Sequence, residues 1–165
     1  MTELKAGDPA PDVTLATGDG GTLALSQMRG HAIVLYFYPK DDTPGCTTEA
    51  MDFTARKAAF EMAGAYVIGV SKDDAASHAK FTGKHAITIT LASDADGSVS
   101  DAFGVWKEKS NYGRKYMGIE RSTFLIDAEG RVAEIWRGVR VPGHADKVLA
   151  AAEALGHAET NPLVS

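Results

Sequence analysis

The sequence contains one cysteine, Cys46, in the segment Tyr36-Phe37-Tyr38-Pro39-Lys40-Asp41-Asp42-Thr43-Pro44-Gly45-Cys46-Thr47-Thr48-Glu49. Thr43-Pro44 reads as a helix start, because threonine is a favoured N-cap and proline suits the first helical position. Cys46 then falls in the first helical turn, where free backbone N–H groups and the positive dipole end face its side chain. Both favour thiolate over thiol, and the thiolate is the nucleophile. The helix alone is not enough. A free cysteine with a pKa of about 8.5 is only a few per cent ionised at pH 7. A thiol brought to about 6 is roughly 90% ionised, a shift of about 3.4 kcal/mol. A helix terminus gives about 0.3–1 kcal/mol, and about 2 at most. An arginine or lysine from elsewhere in the chain must supply the rest. The position after Pro44-Gly45, off any apolar stripe, argues against Cys46 as a small buried hydrophobe.

Strand-like and helix-like runs alternate around this segment. Val13 to Ala16 and Thr22 to Leu25 flank a turn at Gly18-Asp19-Gly20-Gly21. Ala32 to Tyr38 reads as a buried strand delivering the chain to Thr43. In the helix that follows, Met51, Ala55, Ala58 and Met62 share one face, and Phe53 and Phe60 share the opposite one, toward which Cys46 points. Such a helix is expected to be buried on two sides and to stop at Gly64. Tyr66 to Val70 is the next strand. Asp73 or Asp74 opens a helix to about Lys84. Ile89 to Ala92 is a short strand, Val99 to Phe103 a short helix, and Ser122 to Asp127 a strand turning at Glu129-Gly130 into Val132 to Trp136. His144 to Leu155 is a final helix, and 157–165 a loose tail after a single domain over 1–156. The pattern implies an α/β chain with a mixed sheet flanked by helices, for which a thioredoxin-like fold is the natural candidate.

The chain has 165 residues with a formal net charge of −5 and no run of basic residues, which argues against nucleic-acid binding. Its longest apolar run, Ala32 to Tyr38, is far short of the roughly 20 residues that span a bilayer. The opening lacks the basic-then-apolar pattern of a secretory signal, and one thiol suits a reducing, cytoplasmic setting. His78 and His85 share a helical face but stand about 10.5 Å apart in rise. That is too far for one metal ion with ligands at about 2 Å, so no metal site is expected.

Pro39-x-x-x-Thr43-x-x-Cys46 matches the peroxiredoxin active-site signature. The fuller string from Phe37 to Glu49 resembles the peroxiredoxin Q branch, also called bacterioferritin comigratory protein. The resemblance extends through Gly69-Val70-Ser71, Phe103-Gly104-Val105-Trp106 and Arg121-Ser122-Thr123-Phe124-Leu125-Ile126-Asp127, nearly the whole chain from Leu4 to Leu155. It implies a thioredoxin-like peroxiredoxin fold and a peroxidase reducing hydrogen peroxide and small organic hydroperoxides. Cys46 would attack one peroxide oxygen and become a sulfenic acid, with Thr43 holding the peroxide through its hydroxyl. Pro44 would shield the sulfur. The Gly45 and Cys46 amides would orient the peroxide, and Arg121 would be the missing cation. Glu49 either orients Arg121 or simply favours the helix start. No cofactor is implied, since sulfur carries the electrons, and the resemblance favours a monomer.

The sequence departs from the family in one respect. Many peroxiredoxin Q proteins carry a resolving cysteine five residues after the first, or on the following helix. Here those positions hold Met51 and, nearby, Thr82. An external thiol must therefore clear the sulfenic acid: thioredoxin, glutathione with a glutaredoxin, or another small thiol. The rival readings are a thioredoxin-type disulfide carrier and a non-enzymatic chaperone or binding protein. The first is opposed by Thr43, which stands where the first cysteine of Cys-x-x-Cys would be.

Overall fold

Ala32–Phe37 is apolar at every position, the pattern of a strand covered on both faces. It forms β3, near the middle of the main sheet in a computed structural model of the chain that describes residues 4–17 and 21–160. The chain order is β1 (Thr14–Thr17), β2 (Thr22–Ala24), a 3-10 turn (Leu25–Met28), β3, α1 (Pro44–Ala55), α2 (Lys57–Met62), β4 (Ala65–Ser71), α3 (Ala75–His85) and β5 (Thr90–Ser93). Then come α4 (Ser98–Ala102), β6 (Trp106–Asn111), β7 (Arg114–Ile119), β8 (Ser122–Ile126), β9 (Val132–Arg137) and α5 (His144–Thr160). The seven-stranded sheet runs β2-β1-β5-β4-β3-β8-β9, and β6-β7 forms a separate hairpin. Strands β3, β4 and β5 are parallel to one another, while β8 and β9 are antiparallel, so the sheet is mixed as expected.

Successive side chains of β3 point to opposite faces. Val34 and Tyr36 join Phe53, Phe60, Phe81 and Val148 in one core layer. Ile33, Leu35 and Phe37 join Leu15, Val99, Phe103 and Phe124 in the other. Tyr36 lies across Gly69 on β4, where an added Cβ would meet its ring at 2.6 Å, and stacks on Phe53 at 4.7 Å. This fixes α1 over the C-terminal end of β3, and truncating a core aromatic such as Phe53 to alanine costs about 3–5 kcal/mol.

Several expectations are corrected. The helix from Thr43 breaks at Arg56 into α1 and α2, and it is buried on one side only: Phe53 and Phe60 are covered while Met51 and Met62 are 47% and 90% exposed. The final helix does not stop at Gly156. An added Cβ there would lie 2.5 Å from the Ala63 carbonyl, so this glycine lets α5 pass close to the end of α2, and the helix continues to Thr160. The expected loose tail is thus helical over its first residues, and 161–165 lie outside the described residues. So do 18–20 of the expected first turn, although Thr14 pairs with Ala24 as that turn requires.

The hairpin β6–β7 was not legible as apolar alternation, because both of its faces carry charge. Its signal is the two-residue turn Tyr112-Gly113, both at positive φ (54° and 76°), the geometry of the turns that join hairpin strands. No helix among the described residues is long and apolar enough to cross a membrane.

Candidate active site

Thr43 occupies the N-cap position in extended conformation, and its carbonyl accepts the first helical bond, from Thr47 N–H at 2.8 Å. Its hydroxyl does not cap the helix. It donates to the Lys40 carbonyl at 2.9 Å instead. Pro44 opens α1 as expected and is exposed, Thr43 and Gly45 are half-buried, and Pro39 lies at the exposed bend after β3.

Cys46 is the correction at the centre of the site. It is 1% exposed and belongs to the core layer of Tyr36, Tyr38, Ala50 and Phe53. It does not have a buried hydrophobe's surroundings, however. The Arg121 Nη2 group donates to Cys46 Sγ at 3.3 Å, and Nη1 of the same guanidinium donates to Glu49 Oε1 at 2.7 Å. The cation that the sequence required is therefore in place. Arg121 follows β7 and leads into β8, which pairs with β3, and Phe37 lies opposite Ser122. Sheet pairing thus carries a residue 75 positions away onto the sulfur. Burial lowers the arginine pKa, but the Glu49 and Cys46 charges and hydrogen bonds more than offset this and hold the guanidinium charged.

Gly45 backs onto the same group. A Cβ at this position would lie 3.2 Å from Arg121 Nη2, so the absence of a side chain gives the guanidinium its path to the sulfur. Glu49 is 2% exposed, and its Oε2 has no hydrogen-bond partner among the described residues. Burial raises its pKa to about 7, outweighing the pull of Arg121. Both sequence alternatives for Glu49 bear on one observation: it sits in the early part of α1, yet its carboxylate faces Arg121.

Sequence reasoning missed the buried network that anchors the loop before Thr43. Asp41 accepts from the Tyr38 hydroxyl at 2.7 Å and from Ser77 Oγ at 2.8 Å, and its Oδ2 lies 2.7 Å from His78 Nδ1. His78 Nε2 faces the Ala92 carbonyl at 3.0 Å. A carbonyl only accepts, so Nε2 carries a hydrogen. Burial pushes Asp41 up, but the bonds from His78, Tyr38 and Ser77 hold it below the usual carboxylate range. Asp42, at φ 58°, pairs with Lys84 and His85 at 2.8 Å each. The two histidines of α3 thus serve two neighbouring aspartates, and no metal-binding cluster occurs among the described residues. His144 was also missed. It lies between Phe53 and Trp136, 2.8 Å from Thr123 Oγ1, and burial followed by the Lys147 and Arg121 charges lowers its pKa to about 4.

A paired cysteine and arginine over a thioredoxin-like sheet can be compared with known proteins as a unit. The model of the AhpC/TSA family matches residues 6–135. The chain belongs to the AhpC/TSA family of peroxiredoxins. It is 49% identical to Peroxiredoxin Bcp of Bacillus subtilis over 146 residues, 88% of this chain and 93% of that one. The solved peroxiredoxin Q of Xanthomonas campestris superposes with a TM-score of 0.86 at 47% identity, covering 92% of this chain and 98% of the other. A further X. campestris structure, of the bacterioferritin comigratory protein studied for alkyl peroxide reduction, gives 0.86 at 46% identity over 92% and 99%. The thioredoxin-like fold and the peroxiredoxin Q resemblance both stand, and the disulfide-carrier and chaperone readings are not favoured.

Proposed function

We propose that Cys46 is the sulfur on which this peroxiredoxin performs its thiol-dependent peroxidase chemistry, with hydrogen peroxide and small organic hydroperoxides as substrates. The observation that carries the reading is the Arg121 guanidinium at 3.3 Å from Cys46 Sγ. The thiolate attacks the terminal oxygen, the O–O bond breaks, and the departing hydroxide or alkoxide takes up a proton as Cys46 becomes a sulfenic acid. Arg121 stabilises both the thiolate and the charge developing on the leaving oxygen. The Thr43 hydroxyl donates to Lys40, which leaves its lone pairs to accept from the peroxide, and the Gly45 and Cys46 amides in the uncapped first turn orient it. Pro44 covers the sulfur from solvent. Pro39 shapes the bend that delivers the chain to Thr43.

An external thiol then reduces the sulfenic acid, because Cys46 is the sole cysteine. Thioredoxin, glutaredoxin and glutathione are the candidate reductants. A sulfur 1% exposed is beyond a bulky thiol's reach, so the first turn of α1 opens for this step. We place the protein in the cytoplasm, acting as a monomer without a cofactor, and not on nucleic acid or membrane. The test is Cys46→Ser. Lost peroxide consumption with unchanged circular dichroism supports the reading, and retained consumption overturns it.

A further inference from the structure

The Lys40–Asp41 peptide is held on both of its edges. A peptide group is planar and trans, so its carbonyl and its N–H point in opposite directions. Here the Lys40 carbonyl accepts from the Thr43 hydroxyl at 2.9 Å, and the Asp41 N–H donates to Asp73 Oδ2 at 2.8 Å. Turning this peptide would break both bonds together. The bond to Asp73 therefore sets where the Thr43 hydroxyl finds its acceptor.

Asp73 is itself tied to the sheet. The Ser71 hydroxyl, buried at the end of β4, donates to the same Oδ2 at 2.7 Å and accepts from the Asp73 N–H at 3.1 Å. Strand β4 pairs with β3 as far as Phe37, and the pairing runs one step further, from the Tyr38 N–H to the Val70 carbonyl at 3.1 Å. The Asp41 carboxylate is fixed separately by Tyr38, Ser77 and His78. Each step from the sheet to Thr43 is thus hydrogen-bonded. Helix capping does not account for Asp73, because the N-cap of α3 is Asp74, whose carboxylate accepts from the Ser77 N–H at 2.8 Å.

We propose that Asp73 is a positioning residue of the peroxide step. Through the Lys40–Asp41 peptide it keeps the Thr43 hydroxyl proton on Lys40, so that the Thr43 lone pairs stay directed at the incoming hydroperoxide. The proposal rests on the reading that Thr43 accepts a hydrogen bond from the peroxide. Without Asp73 the peptide can turn, and a freed hydroxyl presents its proton where an acceptor is needed. Arg121 reaches the sulfur from the start of β8, so the thiolate does not depend on Asp73.

The experiment uses the full chain and its variants. It measures sulfenic acid formation with hydrogen peroxide by stopped flow, and the ultraviolet absorbance of the Cys46 thiolate against pH. Asp73→Ala is expected to react roughly tenfold more slowly, short of the about hundredfold cost of a full 1 Å misplacement, with its thiolate titration unmoved. Asp73→Asn still offers the Asp41 N–H an oxygen and is expected to keep most of the native rate. Thr43→Val is expected to be slower than Asp73→Ala, and adding Asp73→Ala to it should cost nothing more, since both act through one hydroxyl. Four results overturn the role of Asp73 alone: a native rate in Asp73→Ala, a shifted thiolate titration in that variant, an Asp73→Asn as slow as Asp73→Ala, or equal slowing by Asp73→Ala with and without the Thr43 hydroxyl. A native rate in Thr43→Val overturns the reading of Thr43 and takes this proposal with it.

Discussion

Arg121 Nη2 donates to Cys46 Sγ at 3.3 Å while Nη1 holds Glu49 at 2.7 Å, so one guanidinium spans a sulfur and a buried carboxyl. The fork geometry matters here, because a lysine ammonium cannot hold both groups in one plane. Gly45 completes the arrangement by leaving the space that the guanidinium crosses.

Gly45→Ala is therefore expected to slow peroxide consumption with little loss of fold. Its methyl would lie 3.2 Å from Arg121 Nη2, so the guanidinium must give by a few tenths of an ångström. A loss of roughly tenfold is expected, less than the about hundredfold cost of a full 1 Å misplacement. Steady-state peroxide assays of the two proteins at equal thiol titre check this, and equal rates would contradict it.

Glu49 gives the fold a pH dependence of unusual sign for a carboxyl. Its pKa in the folded chain is raised from 4.5 to about 7, so its contribution to stability is full below about pH 4.5 and lost as pH rises through about 7. Glu49→Gln stays neutral throughout and still offers Arg121 an acceptor. The native chain should thus lose stability relative to the variant between those pH values, by on the order of 3 kcal/mol at most. Urea midpoints at pH 5 and pH 8 measure the difference; parallel profiles would remove Glu49 from this role.

His144 acts in the opposite direction. Burial lowers its pKa from 6.5 to about 4, so its contribution is present above about pH 6.5 and lost as pH falls through about 4. His144→Gln, which can keep the bond to Thr123, should be less sensitive than the native chain to acid over that window. Thermal melts from pH 7 to pH 4 report it, and an unchanged acid limb would count against the assignment.

The fate of the sulfur follows from having one cysteine. One equivalent of hydrogen peroxide should add a single oxygen to Cys46 and no internal disulfide. Intact-mass spectrometry before and after a sulfenic-acid trap tests this. A covalent dimer as the main product would show that another copy resolves the sulfenic acid.

What was legible in the sequence had a local cause. Thr43-Pro44 marks a helix start whatever the tertiary context, and the all-apolar Ala32–Phe37 marks a strand covered on both faces. The segment around Cys46 is contiguous, so its motif could be read directly. Arg121 was reached only through the family resemblance, since 75 residues separate it from the sulfur and only sheet pairing joins them. The Tyr38–Asp41–His78 network was illegible for the same reason: no local pattern reveals that His78 on α3 meets the loop after β3. The burial of Cys46 was missed because its place after Pro44-Gly45 lies off any apolar stripe, although its direction toward the Phe53 face was legible and is the one that carries the sulfur into the core layer.

The most direct measurement is stopped-flow reaction of reduced protein with hydrogen peroxide at neutral pH, comparing the native chain with Arg121→Ala and Arg121→Lys. Loss of a preorganised donor at a developing charge costs roughly 10²–10³ in rate, so Arg121→Ala should slow sulfenic acid formation by that order, and Arg121→Lys should recover only part of it. Native rates in Arg121→Ala, with its fold intact, would contradict the claim that this guanidinium makes Cys46 a peroxide nucleophile.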